Sequence, residues 1–430
     1  MKKPGILIVV FLLLLVLIGG VSAYAFFDTQ TVSVSENRTL AKRPSLSAQS
    51  WFSGAFATGA EDFLSDHVYN RAALVSVAKR MEALMERKTE IKLVSHNAAD
   101  MAGNAATQAE QTQLTPEGEG GGTFNVGATA AEQEQTQDRL VLEDRILSVY
   151  RDAPDNLTYY AQVVNKFLGM FPDYINKYCL LAPSRIAFEP PDIAAYSDDQ
   201  RTAIEFVYGK LDPLITTIDA YTPLQAHSER LDDLYYRTDH HWTHLGAYYA
   251  AEAMFETIGL PYSPLEAYER REGNPFLGYY YAQDPDPALE AHQDELIYYL
   301  PKDHPVPPCV LYIPTEEGTM ETEAAITVNP LRGGYYTFAG SSFAYSVMDG
   351  ARDDGGSLLL VADSYGNAFG TWLAENYSRV VQIDPRDYVL GREGVLSLAE
   401  EYEITDVMLC DYLGAVDSSY FPAQIEHLTE

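Results

Sequence analysis

Polar and apolar positions divide the chain into stretches of different kinds. Pro4 to Phe27 carries no charge, and its centre, ILIVVFLLLLVLIGGV, is almost wholly apolar. Roughly 20 such residues suffice for a helix to cross a bilayer, so a membrane-spanning helix is expected. Lys2 and Lys3 favour a cytoplasmic N-terminus, which sends the remainder outward. Val21-Ser22-Ala23 offers a cleavage site, so a removed signal peptide is the competing reading. Either reading exports the bulk of the chain. Residues 1–27 are thus expected to be a cytoplasmic tip and transmembrane signal-anchor of a single-pass cell-membrane protein.

Residues 28–94 read as an extended lead-in, containing SENRTLAKRPSLS, followed by a helical segment over 51–94. Phe63, Leu64, Val68, Ala72, Leu74, Val77, Met81, Leu84 and Met85 recur there at helical spacing. Residues 95–138 lose all periodicity. They are rich in Ala, Gln, Gly, Thr and Glu, with EGEGGG at the centre. Such composition buries too little apolar surface to order itself, so a flexible low-complexity insertion is expected.

Residues 139–430 change character again. LVLEDRILSVY has strand character, 155–171 reads as a helix, and YCLLAP (178–183) as a buried strand. A second helix is expected over 199–215 and a strand over 216–221. This alternation marks a mostly parallel sheet covered by helices. Residues 261–340, rich in Tyr, Pro and Gly, read as an irregular β-rich excursion. Leu358 to Val361 is a continuous apolar run, as a parallel strand buried on both faces requires, and a helix comes directly after it. VVQID (380–384) and DVMLCDY (406–412) are the last strands. The fold class is therefore α/β.

Charge narrows the partners. The 430 residues include 62 acidic and 29 basic side chains, a net charge of −33, which repels phosphate backbones and disfavours nucleic acid. Cys179, Cys309 and Cys410 show no CxxC or zinc-type spacing and read as buried small hydrophobes.

Two segments carry candidate chemistry. In Ala362-Asp363-Ser364-Tyr365-Gly366 a serine stands at the carboxyl end of a strand and the start of a helix. Ligands bind there in open α/β sheets, and the free N–H groups and dipole of the helix favour a developing oxyanion. The plainer reading is that Asp363 or Ser364 merely caps the helix. The second segment is YYRTDHHWTHLGAYY. Three of the nine histidines fall within 240–244, directly after Asp239. A histidine that accepts a serine proton needs a carboxylate to fix its tautomer and stabilise its charged form. Asp-x-His supplies both from one turn. Thr243 is placed to cap the next helix, with Leu245, Tyr248, Tyr249 and Met254 on its apolar positions. A metal held by Asp239, His240, His241 and His244 is the rival reading, but the spacing matches no strong zinc motif.

TDHHWTHLGAYYA with DSYGNAF resembles the signature of the DHHW-type proteins, which are similar to the alginate O-acetylation proteins with SGNH-hydrolase-like domains. The resemblance runs from SENRTLAKRP to DYLGAV, apart from residues 95–138. It implies an SGNH-hydrolase-like, flavodoxin-like three-layer sandwich with Ser364, His241 and Asp239 as the triad. His240 becomes the variable middle position of Asp-x-His. Arg386 matches a basic position of the family and is a candidate for clamping substrate. Tyr365 and Asn367 are further oxyanion or substrate candidates. Gly340 opens a segment resembling a glycine-rich oxyanion loop, where Ser341 and Ser342 replace the usual Gly-Asn. The implied activity is extracytoplasmic O-acetyl transfer onto a cell-envelope or secreted polysaccharide through an acyl-enzyme. The acetyl donor is expected from a multi-spanning membrane acyltransferase, and the scheme needs no metal or cofactor. An acetyl esterase with the same triad and a non-catalytic glycan-binding scaffold are the alternatives. Tyr279-Tyr280-Tyr281 is a candidate for stacking on sugar rings.

Overall fold

The computed structural model describes residues 32–33, 38–47, 50–51, 53–67, 92–94 and 138–430, apart from 284–285, 316–318 and 340–342. The membrane helix expected within 1–27, the insertion up to 137, and Gly340 with Ser341 and Ser342 lie outside the described residues. Among the described residues no helix is long and apolar enough to cross a membrane.

The helical reading of 51–94 holds over α1 (Ala55–Asp66), while its end is a strand, β1 (Lys92–Val94). That strand pairs with β2 (Arg139–Val141), which pairs in turn with β3 (Ile146–Ser148). LVLEDRILSVY, with its strand character, therefore forms a hairpin. It turns where the Leu142 amide donates to the Arg145 carbonyl.

The next helix, α2 (Pro154–Leu168), starts with proline in its first turn. It buries Leu157, Tyr160, Ala161, Val164, Phe167 and Leu168 at helical spacing. It leads into β4 (Asn176–Ala182). Asp199 caps α3 (Gln200–Tyr208), its carboxylate accepting from the Arg201 and Thr202 amides at 2.9 and 3.2 Å. This helix is shorter than the 199–215 expected: it ends at Tyr208 with Gly209 as its cap, and Pro213 bars helical geometry further on, at Asp212. Strand β5 (Ile215–Ile218) comes next, then α4 (His244–Ile258).

The excursion over 261–340 is more regular than expected. It contributes the hairpin β6 (Tyr268–Glu272) and β7 (Ile297–Pro301), then β8 (Pro308–Pro314) and β9 (Met320–Ile326). Beyond it come β10 (Tyr345–Asp349), β11 (Ser357–Ala362), α5 (Tyr365–Ala374) and β12 (Arg379–Ile383). The chain closes with α6 (Gly391–Glu401), β13 (Asp406–Tyr412) and α7 (Tyr420–His427).

Eight strands form the central sheet in the order β9-β8-β10-β12-β11-β13-β4-β5. The run from β12 to β5 is parallel, and β9, β8 and β10 extend it antiparallel. The pleat sends alternate residues to opposite faces. Leu358, Leu360, Met408, Cys410 and Leu180 pack on one face with Ala247, Met254, Phe369 and Trp372 of α4 and α5. Leu359, Val361, Val407, Leu409 and Leu181 pack on the other with residues of α2, α3, α6 and α7. Burial on both faces explains the continuous apolar runs of the central strands. The molecule is thus a mixed α/β structure with a large sheet and a core on each side of it. The three cysteines are buried and unbridged.

Candidate functional site

The strand β11 ends at Ala362, and Asp363 organises the turn into α5. One oxygen of its carboxylate accepts from the Tyr365 amide at 2.8 Å, the other from the Tyr412 amide at 2.7 Å. It therefore ties the first turn of α5 to the end of β13. Burial, against these hydrogen bonds, pushes its pKa up to about 6. Ser364 occupies the cap position of α5 without a side-chain capping bond. Asp363 serves that first turn instead, which leaves the partly exposed Ser364 hydroxyl for another partner.

That partner comes from the loop between residues 234 and 244. Tyr235 and Trp242 form an antiparallel bridge, the Tyr236 amide donates to the His241 carbonyl at 3.3 Å, and the Thr243 amide donates to the Leu234 carbonyl at 2.8 Å. The buried Arg185 grips the base of the loop, donating to the Tyr235 carbonyl at 3.1 Å and to Asp232 at 2.7 Å. Thr243 caps α4 by accepting from the Gly246 amide at 3.1 Å. Gly246 has to be glycine: a Cβ there would lie 2.3 Å from the Leu234 carbonyl oxygen. Trp242, wholly buried, donates to the Tyr365 carbonyl at 3.1 Å and so fastens the loop to the helix that bears Ser364.

These supports bring three side chains into line. Asp239 Oδ1 lies 2.6 Å from His241 Nδ1 and also accepts the His241 amide at 3.1 Å. His241 Nε2 lies 2.7 Å from Ser364 Oγ. The other Asp239 oxygen accepts from the Tyr279 amide at 2.9 Å. Burial alone would push Asp239 up, but the attraction and hydrogen bond of His241 outweigh it and hold the carboxyl well below its ordinary range. Burial, reinforced by repulsion from His240, lowers His241 to about 3 against the pull of Asp239. The resting imidazole is thus neutral beside a fixed carboxylate. It is able to accept the serine proton, and the carboxylate would then stabilise the imidazolium.

The metal alternative fits less well. Asp239, His240 and His241 bring ligand-type atoms within 4.8 Å of one another. Asp239 and both ring nitrogens of His241 are already engaged, so an ion would have to displace those contacts. His244 points elsewhere, between the Thr371 hydroxyl at 2.9 Å and the Tyr299 amide at 3.1 Å, stacked on Trp372.

The remaining sequence candidates fall in different places. Tyr365 is buried, with its hydroxyl on the His240 carbonyl and its amide on Asp363. Asn367 is partly exposed, and its carbonyl oxygen accepts from Gln382 at 2.9 Å. Arg386 forks onto Asp384, with Nε 2.8 Å from Oδ1, and is largely buried. Tyr279 and Tyr280 are buried core residues, so the suggestion that they stack on sugar is corrected. Sequence reading missed Tyr335. Its ring stacks on His241 at 3.7 Å between centroids, and its hydroxyl donates to the Ser364 carbonyl at 3.0 Å. Among 31 tyrosines nothing in the sequence distinguishes it.

Comparison with known proteins bears on this arrangement. A DHHW family protein from Eubacterium siraeum is 24% identical, with a TM-score of 0.58 over 67% of this chain and 94% of its own. Bacillus cereus PatB1, solved with a sulfonyl adduct, is 18% identical, with a TM-score of 0.53 over 66% and 96%. The O-acetyltransferase domain of Pseudomonas putida AlgJ is more distant, 13% identical with a TM-score of 0.37 over 66% and 96%. No curated protein matches in a sequence search. The DHHW protein family model matches residues 116–383, more than half of the chain and the whole of the Asp239 to Ser364 region, and the chain belongs to that family.

Proposed function

We propose that this chain is an extracytoplasmic O-acetyltransferase of SGNH-hydrolase-like type, acting on a cell-envelope or secreted polysaccharide and held at the membrane by residues 1–27. The observation that carries the chemistry is the unbroken line from Asp239 through His241 to a partly exposed, non-capping Ser364 hydroxyl. His241 takes the serine proton as Ser364 Oγ attacks the acetyl carbonyl, and it returns that proton to the leaving group as the donor's ester bond breaks. A sugar hydroxyl, deprotonated by the same imidazole, then attacks the acyl carbonyl, and the imidazolium returns the proton to Ser364 Oγ as the serine ester bond breaks. The Ser364 amide makes no hydrogen bond among the described residues, so it is available to the oxyanion at the start of α5. The choice of acetyl and polysaccharide rests on family membership and on the likeness of DHHWT and DSYGNAF to the alginate O-acetylation proteins. A multi-spanning acyltransferase as acetyl source rests on that likeness alone.

The test starts from a fragment beginning at Asp28, an activated acetyl ester and a panel of envelope oligosaccharides. Mass spectrometry is expected to find one acetyl group on Ser364 and its passage to sugar in preference to water. Transfer to water alone would make the protein an esterase. Oligosaccharide binding that survives in a Ser364→Ala variant, without any acylation of the wild type, would make it a scaffold.

The reaction also has an expected pH dependence. The base works only when neutral, and burial holds His241 at about 3. Its charged, inactive form therefore gains population only at low pH. The acid limb of the rate is expected below 6.5, the ordinary histidine value. A pH–rate profile over the range in which the protein stays folded checks this. An acid limb at or above 6.5 would contradict it.

A further inference from the structure

We propose that Asp294 is a positioning residue for the reactive pair: its buried carboxylate fixes Arg237 and Thr238, and with Gly278 it sets Asp239 against His241. This rests on the triad reading of Ser364, His241 and Asp239. Asp294 lies 55 residues along from Asp239, in the excursion, and is 4% exposed. Three donors converge on it. The Arg237 amide reaches one oxygen at 2.6 Å, and the Thr238 amide and hydroxyl reach the other at 2.9 and 2.5 Å. Only an acceptor-only group satisfies three donors on two oxygens; an asparagine would turn an N–H onto one of them. A buried carboxylate is costly unless it is hydrogen-bonded in this way.

The same interactions continue to Asp239. The Thr238 hydroxyl, oriented by its bond to Asp294, accepts from the Gly278 amide at 2.7 Å. The next amide, Tyr279, donates to Asp239. The Thr238 carbonyl accepts from Tyr280 at 2.9 Å, and Phe276 exchanges both backbone hydrogen bonds with Asp294. Residues 276–280 are thereby laced to 237–239. Gly278 passes so near that a Cβ would meet Asp239 Cβ at 2.4 Å and Oδ2 at 2.7 Å. The excursion therefore supplies the wall against which Asp239 is held. Asp294 touches neither His241 nor Ser364, so its effect passes through Asp239.

The experiment measures acylation of Ser364 by an activated acetyl ester, separating the limiting rate constant from half-saturation. A displacement of about 1 Å at a reacting group costs roughly 100-fold. Asp294→Asn, Thr238→Val and Gly278→Ala are each expected to lower the limiting rate by about that factor at unchanged half-saturation. Thr238→Ser keeps the hydroxyl and is expected to behave as wild type. The double variant Asp294→Asn/Thr238→Val is expected to be little worse than either single one, since both break one link. Wild-type acylation in Asp294→Asn, with Ser364→Ala inert, overturns the positioning role and leaves the triad standing. Equal reaction of wild type and Ser364→Ala overturns the triad, and this inference with it. If Asp294→Asn does not fold, Thr238→Val against Thr238→Ser decides.

Discussion

Ser364→Ala is expected to lower acyl transfer by roughly 10⁶-fold, the scale on which losing a nucleophile from a triad acts. Among the described residues the hydroxyl bonds only to His241 Nε2. It caps no helix, so its loss takes only that one hydrogen bond from the fold. The first turn of α5 keeps its Asp363 carboxylate, and the Tyr335 bond to the residue 364 carbonyl is a backbone contact that alanine retains. Stability should therefore change by about 1 kcal/mol, the net contribution of one hydrogen bond. A thermal melt alongside ester cleavage and intact mass checks both halves. An alanine variant that cleaves the ester within tenfold of wild type would show that some other group is the nucleophile.

Asp239→Asn should cost about 10⁴-fold in the limiting rate, as loss of the orienting carboxylate does in a serine triad. Asp239 receives three donors here: His241 Nδ1, the His241 amide and the Tyr279 amide. An asparagine has two ways to fit, and both fail. With its amide nitrogen towards Tyr279, donor faces donor and the loop is pushed away. With its nitrogen towards His241, it donates to Nδ1 and forces the proton onto Nε2. The imidazole then presents N–H to Ser364 and cannot accept its proton. In either case the charge that would stabilise the imidazolium is gone. The loss should appear in the rate constant with little change in half-saturation, since Asp239 is buried behind the histidine. Asparagine activity within tenfold of wild type would argue that His241 needs no carboxylate partner.

Both results depend on a site whose parts were unequally visible in the sequence. Strands β11, β12 and β13 stood out by the apolar runs at their centres, as burial on both faces favours. The step from β11 to α5 stood out because a polar Asp-Ser pair interrupts the run where a helix begins. Asp239 and His241 were legible because both belong to one turn. Arg386 was visible as a residue, with Asp384 and Asp387 both within two positions of it, but the sequence did not say that Asp384 is the one that holds it, at 2.8 Å. Tyr335 and Asp294 gave no signal, since their roles lie in contacts with residues 29 and 56 positions away.

The sequence by itself determined the α/β alternation, the elbow at Ser364, the Asp-x-His turn and the likeness to a family. These come from local rules: burial imposes a period, helices need caps, and a proton-accepting histidine needs a nearby carboxylate. Only the tertiary structure decided that Asp363 rather than Ser364 serves the first turn of α5. It alone decided that His241 reaches a serine 123 positions away, and that the excursion supplies Tyr335 and Asp294 to the site. The physical reason is that a polar side chain taken out of water must find a partner. Periodicity shows which side chains are buried, whereas the packing of distant segments chooses the partner.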